Sequence, residues 1–238
     1  MAEKYYEDDY VTLYHGDCLE LADVWTGADV LVTDPPYGVA YVSNSSKYGS
    51  SKPIAGDENP GLRDAVLEVW HGGTIRPGLV FGSWKIDRPE LTKHRLVWAK
   101  GNSPGMGDLS MPWGLGDEEI YVTGTGFCGR RVTNVIMCPT ISASDRNRPD
   151  HPTPKPVPLM ESLIERTPPH WVIADPFAGS GATLIAARNL GRKVIGVELE
   201  EKYCELIVKR LDATPLPMFV GQPQAPVTST GAFDLGDL

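Results

Sequence analysis

The sequence predicts an α/β fold, built as a doubly wound and mostly parallel sheet. Short apolar runs that end at acidic residues alternate with amphipathic helical segments along most of the chain. One such run, DVLVTD at 29–34, is almost continuously apolar, which is typical of a parallel strand buried on both faces. A chain of 238 residues is long enough for one such domain with a small insert.

Strands and helices alternate in the first part of the chain. The runs at 11–17 and 29–34 predict two strands, each of which ends at an acid. In GLRDAVLEVW the apolar residues recur at helical spacing and predict an amphipathic helix; they are Leu62, Ala65, Val66, Val69 and Trp70. The runs GLVFGSW (78–84) and RLVWAKG (95–101) predict the next two strands.

The segment 84–150 differs from the rest of the chain. From residue 101 it is rich in Gly and Pro, with short strand-like runs at 118–123 and 133–138, so we predict a loop-rich insert. The segment holds nine Lys/Arg and eight Asp/Glu, whereas the remainder has a net charge of −10. Phosphate contacts come from Lys and Arg, so the total charge of −9 disfavours nucleic-acid binding and the near-neutral insert weakly favours it.

The strand–helix alternation resumes after the insert. The predicted elements are, in order, helix 157–166, strand 171–175, helix 182–190, strand 193–198 and helix 200–211. The residues after them are rich in Pro, Gly, Ser and Thr and predict a flexible tail. We therefore divide the chain into 1–83, the insert 84–150, a second half of the sheet at 151–212, and the tail 213–238.

Several classes of protein are disfavoured by composition. No apolar stretch approaches the roughly 20 residues of a membrane span, and the N-terminus MAEKYYEDDY is acidic where a secretory signal would be basic. The four cysteines are scattered without a CxxC pair, and the five histidines show no metal-ligand spacing. We expect a reduced, cytoplasmic protein without a metal.

The stretch LVTDPPYGVAY drives an apolar run into an acid and two prolines. Because proline lacks the N–H that a strand needs, the predicted strand must end at Asp34. One interpretation is a strand end with a capped turn. The other is a rigid corner in which a carboxylate, a proline carbonyl and the phenol ring of Tyr37 grip a flat chemical group.

A second feature is WVIADPFAGSGATLIAARNLGRKVIGVELE. A buried strand ends at Asp175, a Gly-Ser-Gly turn at 179–181 opens a helix, and the next strand ends at Glu198. This βαβ arrangement binds nucleoside-containing ligands at the carboxyl ends of its strands, and an acid in the position of Glu198 can accept both ribose hydroxyls. A dinucleotide fingerprint would need glycine where Leu184 stands, and no phosphate-binding P-loop is present. The pattern favours a nucleoside without pyrophosphate, such as S-adenosylmethionine, over a turn that only packs a helix closely on a strand.

Three motifs together, DPPY, DPFAGSG and HPTPKP at 151–156, resemble the amino-methyltransferases that methylate exocyclic nitrogens of DNA bases. The order of the motifs is similar to the β-group of that family, and the resemblance covers roughly residues 10–212. Ala182 stands where threonine is more usual, and the insert is short for a target-recognition region. The resemblance implies a Rossmann-like, S-adenosylmethionine-dependent enzyme of the restriction–modification type. It also implies double-stranded DNA as partner, and a homodimer is left open.

The resemblance also implies a role for each residue of the DPPY corner. The carboxylate of Asp34 accepts one N–H of an adenine amine and the carbonyl of Pro35 accepts the other, with Pro36 completing the corner. The nitrogen lone pair then points at the methyl group, while Tyr37 stacks on the ring. The base must leave the duplex to reach this corner.

The cofactor site is implied in the same way. The residues that line the methionine and adenosine are Asp175, Phe177, Gly179 and Gly181. Glu198 holds the ribose hydroxyls, Asp17 accepts the adenine amine, and Thr153 and Lys155 meet the carboxylate. The alternatives are that the Asp17 side chain caps a helix at 18–24 and that Lys155 is a solvated surface lysine.

Candidate DNA contacts lie in the loop at 41–58 and in the insert. The loop is polar and Ser/Gly-rich, and we interpret it as a lid that places Lys47 and Lys52 on phosphates, with a plain surface loop as the alternative. The candidates in the insert are Arg130, Arg131, Arg146 and Arg148, for which a solvated surface is an equal alternative.

Other functions remain open at this level. The same fold can act on cytosine N4, where the family more often has serine in place of Asp34. RNA or a protein amide could present a similar planar amine, although protein-directed relatives tend to have asparagine there. A non-catalytic DNA-binding subunit could retain the fold, although both motifs are intact.

Overall fold

The structure is a computed structural model that describes residues 2–37, 61–101, 110–142 and 144–214. Within these ranges the strands are β1 (Lys4–Glu7), β2 (Val11–His15), β3 (Val30–Thr33), β4 (Gly78–Gly82), β5 (His94–Ala99), β6 (Asp117–Thr123), β7 (Val135–Met137), β8 (Ile173–Asp175) and β9 (Val194–Glu198). The helices are α1 (Ala22–Trp25), α2 (Leu62–His71), α3 (Val157–Ile164), α4 (Ala182–Asn189) and α5 (Glu201–Ala213).

The strands of the described residues form one sheet in the order β1-β2-β9-β8-β3-β4-β6-β5-β7. The five strands from β2 to β4 are mutually parallel, and β1 and β6 run antiparallel to their neighbours. The chain goes from β3 outward to β4 in one direction and from β8 outward to β9 in the other. The point of reversal therefore lies between β3 and β8.

Side chains of one strand alternate between the two faces of the sheet, and helices cover both faces. On one face Leu31 packs with Trp25 and Trp70, whose rings stack with centroids 6.2 Å apart. On the other face Val30 and Val32 belong to a core with Leu184 and the inner residues of α3, α4 and α5. This arrangement confirms the predicted doubly wound, mostly parallel sheet.

The three strands predicted within the segment 84–150 belong to the main sheet. Strands β5, β6 and β7 extend the sheet itself, and β6 lies between β4 and β5 with its last five residues buried. The physical reason is that the apolar run from Ile120 to Val122 is covered on both faces, which a separate loop region cannot provide. The loops that join these strands remain a predicted target-recognition region. Strand β1 was not expected from the sequence.

Two predicted segments fall outside the described residues: the whole of the loop at 41–58 and nearly all of the tail. No described helix is both long and apolar enough to cross a membrane. Among the described residues, no group of three or more His, Cys, Asp or Glu side chains is placed to hold a metal ion.

Gly124 fixes the exit of the chain from β6, and its replacement tests this packing. Its φ is +64°, and a Cβ there would lie 2.5 Å from the backbone carbon of Arg76. We expect Gly124→Ala to lower the free energy of unfolding by about 2 kcal/mol or more, because strain adds to overpacking. The measurement is urea denaturation, with Gly27→Ala as the control, since a Cβ at Gly27 meets nothing within 4 Å. Equal midpoints for the two variants would contradict this account.

Candidate active site

A cavity of about 400 Å³ lies at the carboxyl edge of the parallel strands. Its lining includes the residues that follow β2, β3, β4, β8 and β9, together with the HPTPKP segment. In open α/β sheets, ligands bind at this edge where the order of strands reverses. The reversal between β3 and β8 brings the DPPY corner next to the DPFAGSG turn, although 141 positions separate their first residues.

A side-chain hydrogen bond joins β3, which leads into the DPPY corner, to Asp175 of the DPFAGSG turn. The hydroxyl of Thr33, the last residue of β3, donates to Oδ1 of Asp175 at 2.7 Å, and both residues are buried. The backbone N–H of Phe177 donates to the same oxygen at 3.2 Å. Burial raises the pKa of Asp175 to about 6, while the hydrogen bonds from Thr183 and Thr33 oppose this shift.

The glycine turn holds Glu198 at the end of β9. The backbone N–H of Gly179 donates to Oε2 of Glu198 at 2.7 Å, and the N–H of Glu200 donates to Oε1 at 2.9 Å. Gly179 has a φ of +52°, and a Cβ on Gly181 (φ +79°) would lie 2.8 Å from Ile207 of α5. These positions therefore require glycine. Burial raises the pKa of Glu198 to about 7.

At the DPPY corner both carboxylate oxygens of Asp34 have partners. The Tyr37 hydroxyl donates to Oδ1 at 2.8 Å, and the Lys155 ammonium donates to Oδ2. Burial raises the pKa of the Asp34 carboxyl, and the charge of Lys155 opposes that shift. Pro35 and Pro36 line the cavity beside it. Lys155 thus lies against the DPPY corner, and its predicted contact with a cofactor carboxylate stays a prediction.

Lys155 is not a solvated surface lysine, since its side chain is 9% exposed and makes a second ion pair. Oε2 of Glu118 lies 3.3 Å from its ammonium, and the ammonium of Lys100 contacts Oε1 of Glu118 at 2.7 Å. The two carboxylates raise the pKa of Lys155 above its usual range in spite of burial. The two lysines hold the pKa of Glu118 below its usual value.

Sequence reasoning missed Glu118, Lys100 and His151, which all line the cavity. An acid at the start of an apolar strand was the available signal for Glu118, but only the folded sheet shows its partners. The His151 ring lies 4.7 Å from that of Tyr203, and burial together with nearby cations lowers its pKa to about 3. His151 is therefore a neutral ring in the wall of the cavity.

Asp17, Thr153 and Phe177 also line the cavity, as the sequence predicted for a shared site. Oδ1 of Asp17 accepts hydrogen bonds from the backbone of Leu19 at 2.7 Å and Glu20 at 3.3 Å. Asp17 therefore caps the turn that precedes α1 while it faces the cavity. Helix α1 itself begins later than the predicted helix at 18–24.

The four arginines predicted to contact DNA lie at different edges. The chain leaves β6 at Thr123, opposite the first residue of β4, and Arg166 donates to the carbonyl of Arg130 at 2.9 Å. Arg130 and the exposed Arg131 are thus at the edge remote from the cavity.

Arg148 donates to the carbonyls of Ile141 and Pro152, both at 3.1 Å, and ties the turn at 144–148 to the HPTPKP segment. Arg146 is exposed on this turn, and Lys47 and Lys52 lie outside the described residues.

Comparison with solved structures supports the fold. A complex described as M1.HpyAVI with SAM matches with a TM-score of 0.60 and 23% identity, over 85% of this chain and 99% of the other. The PvuII DNA methyltransferase, described as cytosine-N4-specific, matches with a TM-score of 0.65 and 14% identity, over 88% and 89% of the two chains.

Comparison of the sequence with known families and proteins identifies the family. The model of the N6_N4_Mtase family, described as DNA methylase, matches residues 68–209, which is more than half of the chain. The type II methyltransferase M2.LlaDCHI of Lactococcus lactis subsp. cremoris is 36% identical over 253 aligned residues, covering 89% of this chain and 93% of the relative. The chain therefore belongs to the N6_N4_Mtase family of DNA methylases.

Proposed function

We propose that the protein transfers a methyl group from S-adenosylmethionine to the exocyclic N6 of an adenine that has flipped out of double-stranded DNA. The observation that carries this proposal is the single cavity shared by the DPPY corner and the glycine turn, joined through Thr33 and Asp175. A methyl donor and an acceptor amine bound at these two places would lie side by side. The order of the motifs supports placement in the β-group.

The glycine-turn end of the cavity suits the proposed cofactor. Each carboxylate oxygen of Glu198 accepts one backbone hydrogen bond and retains a lone pair, so both can accept from ribose hydroxyls. A cavity of about 400 Å³ is within the usual range for ligand sites, about 300–1,000 Å³. S-adenosylmethionine, when bound, supplies an electrophilic methyl group and a positive charge. The cluster of Asp17, Asp175, Glu198 and Glu200 in the lining gives this end a favourable potential for such a cation.

The DPPY corner supplies positioning and hydrogen bonding. An adenine amine is a poor nucleophile because its lone pair is delocalised into the ring. Hydrogen bonds to the Asp34 carboxylate and the Pro35 carbonyl would draw the nitrogen towards sp³ geometry and aim the lone pair into the cavity. Tyr37 would hold the ring, and the ionised Asp34 would stabilise positive charge that develops on the nitrogen.

Cytosine N4 is the alternative target, since the family name covers both nitrogens and one structural neighbour is cytosine-specific. The aspartate at position 34 favours adenine. A non-catalytic DNA-binding subunit is a weaker alternative, because both ends of the cavity keep side chains suited to their proposed ligands.

The test of this proposal is methyl transfer from labelled cofactor to unmethylated genomic DNA, followed by mass spectrometry of the nucleosides. We expect N6-methyladenine. We expect Asp34→Ala to lower the single-turnover rate by about 10²–10³-fold, because one partner of the transition state is lost at a preorganised site. Asp34→Asn should retain more activity, since its amide can still accept one hydrogen bond.

Calorimetry provides the control, because both variants should bind S-adenosylmethionine as the parent does. Detection of N4-methylcytosine would make cytosine the target in place of adenine. Absence of any methylated base would favour the non-catalytic subunit. Parental turnover in Asp34→Ala would show that the DPPY corner is structural.

Cofactor binding should depend on pH through Glu198. Its raised pKa of about 7 means that the carboxyl is protonated below that pH and loses acceptor capacity for ribose hydroxyls. We expect the affinity for S-adenosylmethionine to be highest above pH 7 and to fall as the pH is lowered through it, by up to about tenfold per unit. Calorimetry at pH 6 and pH 8 measures this dependence.

Glu198→Gln is the matched variant, because it keeps the shape and removes the titration. It should bind more weakly at pH 8 and show a smaller pH dependence, with the remainder due to Asp175, whose pKa is about 6. An unchanged dependence in Glu198→Gln would assign the effect to another group.

DNA should bind over the edge that carries the cavity. We expect Arg146→Ser to lower the slope of log affinity against log salt by about 0.9, the value of one phosphate contact. Arg130→Ser is the matched control at the remote edge and should leave the slope unchanged. Filter binding between 50 and 200 mM salt measures both. An equal loss in Arg130→Ser would instead support a DNA contact at the remote edge.

A further inference from the structure

Four alternating charges form a chain at the target end of the cavity. The order is Asp34, Lys155, Glu118 and Lys100, and each member contacts the next through an ion pair. Their side chains are between 9% and 25% exposed, so solvent compensates their charges only in part. The four side chains are two acids and two bases, so their charges sum to zero.

This arrangement poses a problem for the proposed reaction. Tyr37 donates to Oδ1 of Asp34 and the Lys155 ammonium pairs with Oδ2. Each oxygen retains a lone pair, but the ammonium takes up the negative charge that a target amine needs. An ammonium that simply left Asp34 would be buried without a counterion, which is strongly unfavourable. A second carboxylate within reach removes that cost.

Glu118 is placed to be this second carboxylate. Its Oε2 is buried, lies 3.3 Å from the Lys155 ammonium, and makes no hydrogen bond of normal geometry within the described part of the chain. Its other oxygen is fixed by Lys100 at 2.7 Å, which leaves Oε2 directed at Lys155. A shift of the ammonium by less than an ångström would give a normal hydrogen bond of about 2.8 Å.

We propose that Glu118 is a positioning residue that takes the Lys155 ammonium from Asp34 when the target amine arrives. The move leaves the negative charge of Asp34 available to the amine, while Lys155 stays close enough to keep the carboxylate ionised. The step breaks one charge-assisted hydrogen bond and forms another, and it moves no proton. This inference rests on the proposed function, because it assigns a role within the same reaction.

The electrostatics of the surrounding groups agree with this exchange. Burial and the charge of Glu118 raise the pKa of Asp34, while the charge of Lys155 and the hydroxyl of Tyr37 oppose this shift. Burial raises the pKa of Asp175, and the charge of Asp34 adds to that shift. Lys155 and Lys100 lower the pKa of Glu118 in spite of its burial, which favours the ionised carboxylate that the exchange requires.

The test compares Glu118→Gln with the parent in single-turnover methylation of unmethylated genomic DNA. An amide cannot balance the Lys155 charge, so the ammonium stays on Asp34 and the rate should fall at least about tenfold. The affinity for S-adenosylmethionine should not change. In Lys155→Met, a further Glu118→Gln change should not lower the plateau rate any further, because Glu118 affects the plateau through Lys155.

The pH profile separates this role from a structural one. Glu118→Gln removes a negative charge near Asp34, so the acid limb of the rate should move to lower pH by about one unit although the plateau falls. Lys155→Met should move the limb in the opposite direction. A ¹³C NMR titration of the Asp34 carboxyl, assigned with Asp34→Asn, should show the same two shifts without DNA or cofactor.

Glu119→Gln is the matched control, since Glu119 is a buried carboxylate one residue along that binds Arg95 and Tyr121 instead. Glu119→Gln should keep the acid limb and the plateau of the parental pH–rate profile. A parental rate in Glu118→Gln, or an acid limb of its pH–rate profile that does not move, would overturn the inference. If the parent itself methylates no DNA, the proposed function fails, whereas the NMR shifts still decide whether Glu118 and Lys155 act on Asp34.

Discussion

The adjacency of β3 and β8 is the constraint on which the site depends. The two strands pair in parallel, and the Thr33 hydroxyl at the end of β3 donates a hydrogen bond to Asp175 at the end of β8. Pro35 follows β3 after one intervening residue and Pro176 follows β8 directly, so neither strand can continue and both must turn at the same edge. The sheet order thereby builds one cavity from two motifs that lie far apart in the sequence.

The sequence predicted the strands and helices of this arrangement well, because their signals are local. The apolar run before Asp34, the helical spacing around Trp70 and the glycine turn at 179–181 each depend on neighbouring residues alone. The partners of β6 could not be predicted in this way. Its apolar run is compatible with a strand in a separate insert, and only its pairing with β4 and β5 places it within the sheet.

The same distinction applies to the site. Asp34, Asp175 and Glu198 were predicted because an acid at the end of an apolar strand is visible in one sequence. The ion pair of Lys155 with Asp34 joins residues 121 positions apart, and its contact with Glu118 needs the register of β6. Long-range pairs between charged side chains carry no local pattern. For that reason the contacts of Lys155 with Asp34 and Glu118 were not predicted, while its contact with a cofactor carboxylate, which the resemblance implies, stays a prediction.

The two ends of the cavity differ in how their charge is balanced. At the glycine-turn end, Asp175 and Glu198 are held by hydrogen bonds from neutral groups, and burial raises the pKa of both. A cation or a group rich in donors is favoured there, because it supplies the missing charge. At the DPPY end, Asp34 and Glu118 are already neutralised by two lysines. A neutral base can enter that end without leaving a charge unpaired, provided that the ammonium has two carboxylates between which to move.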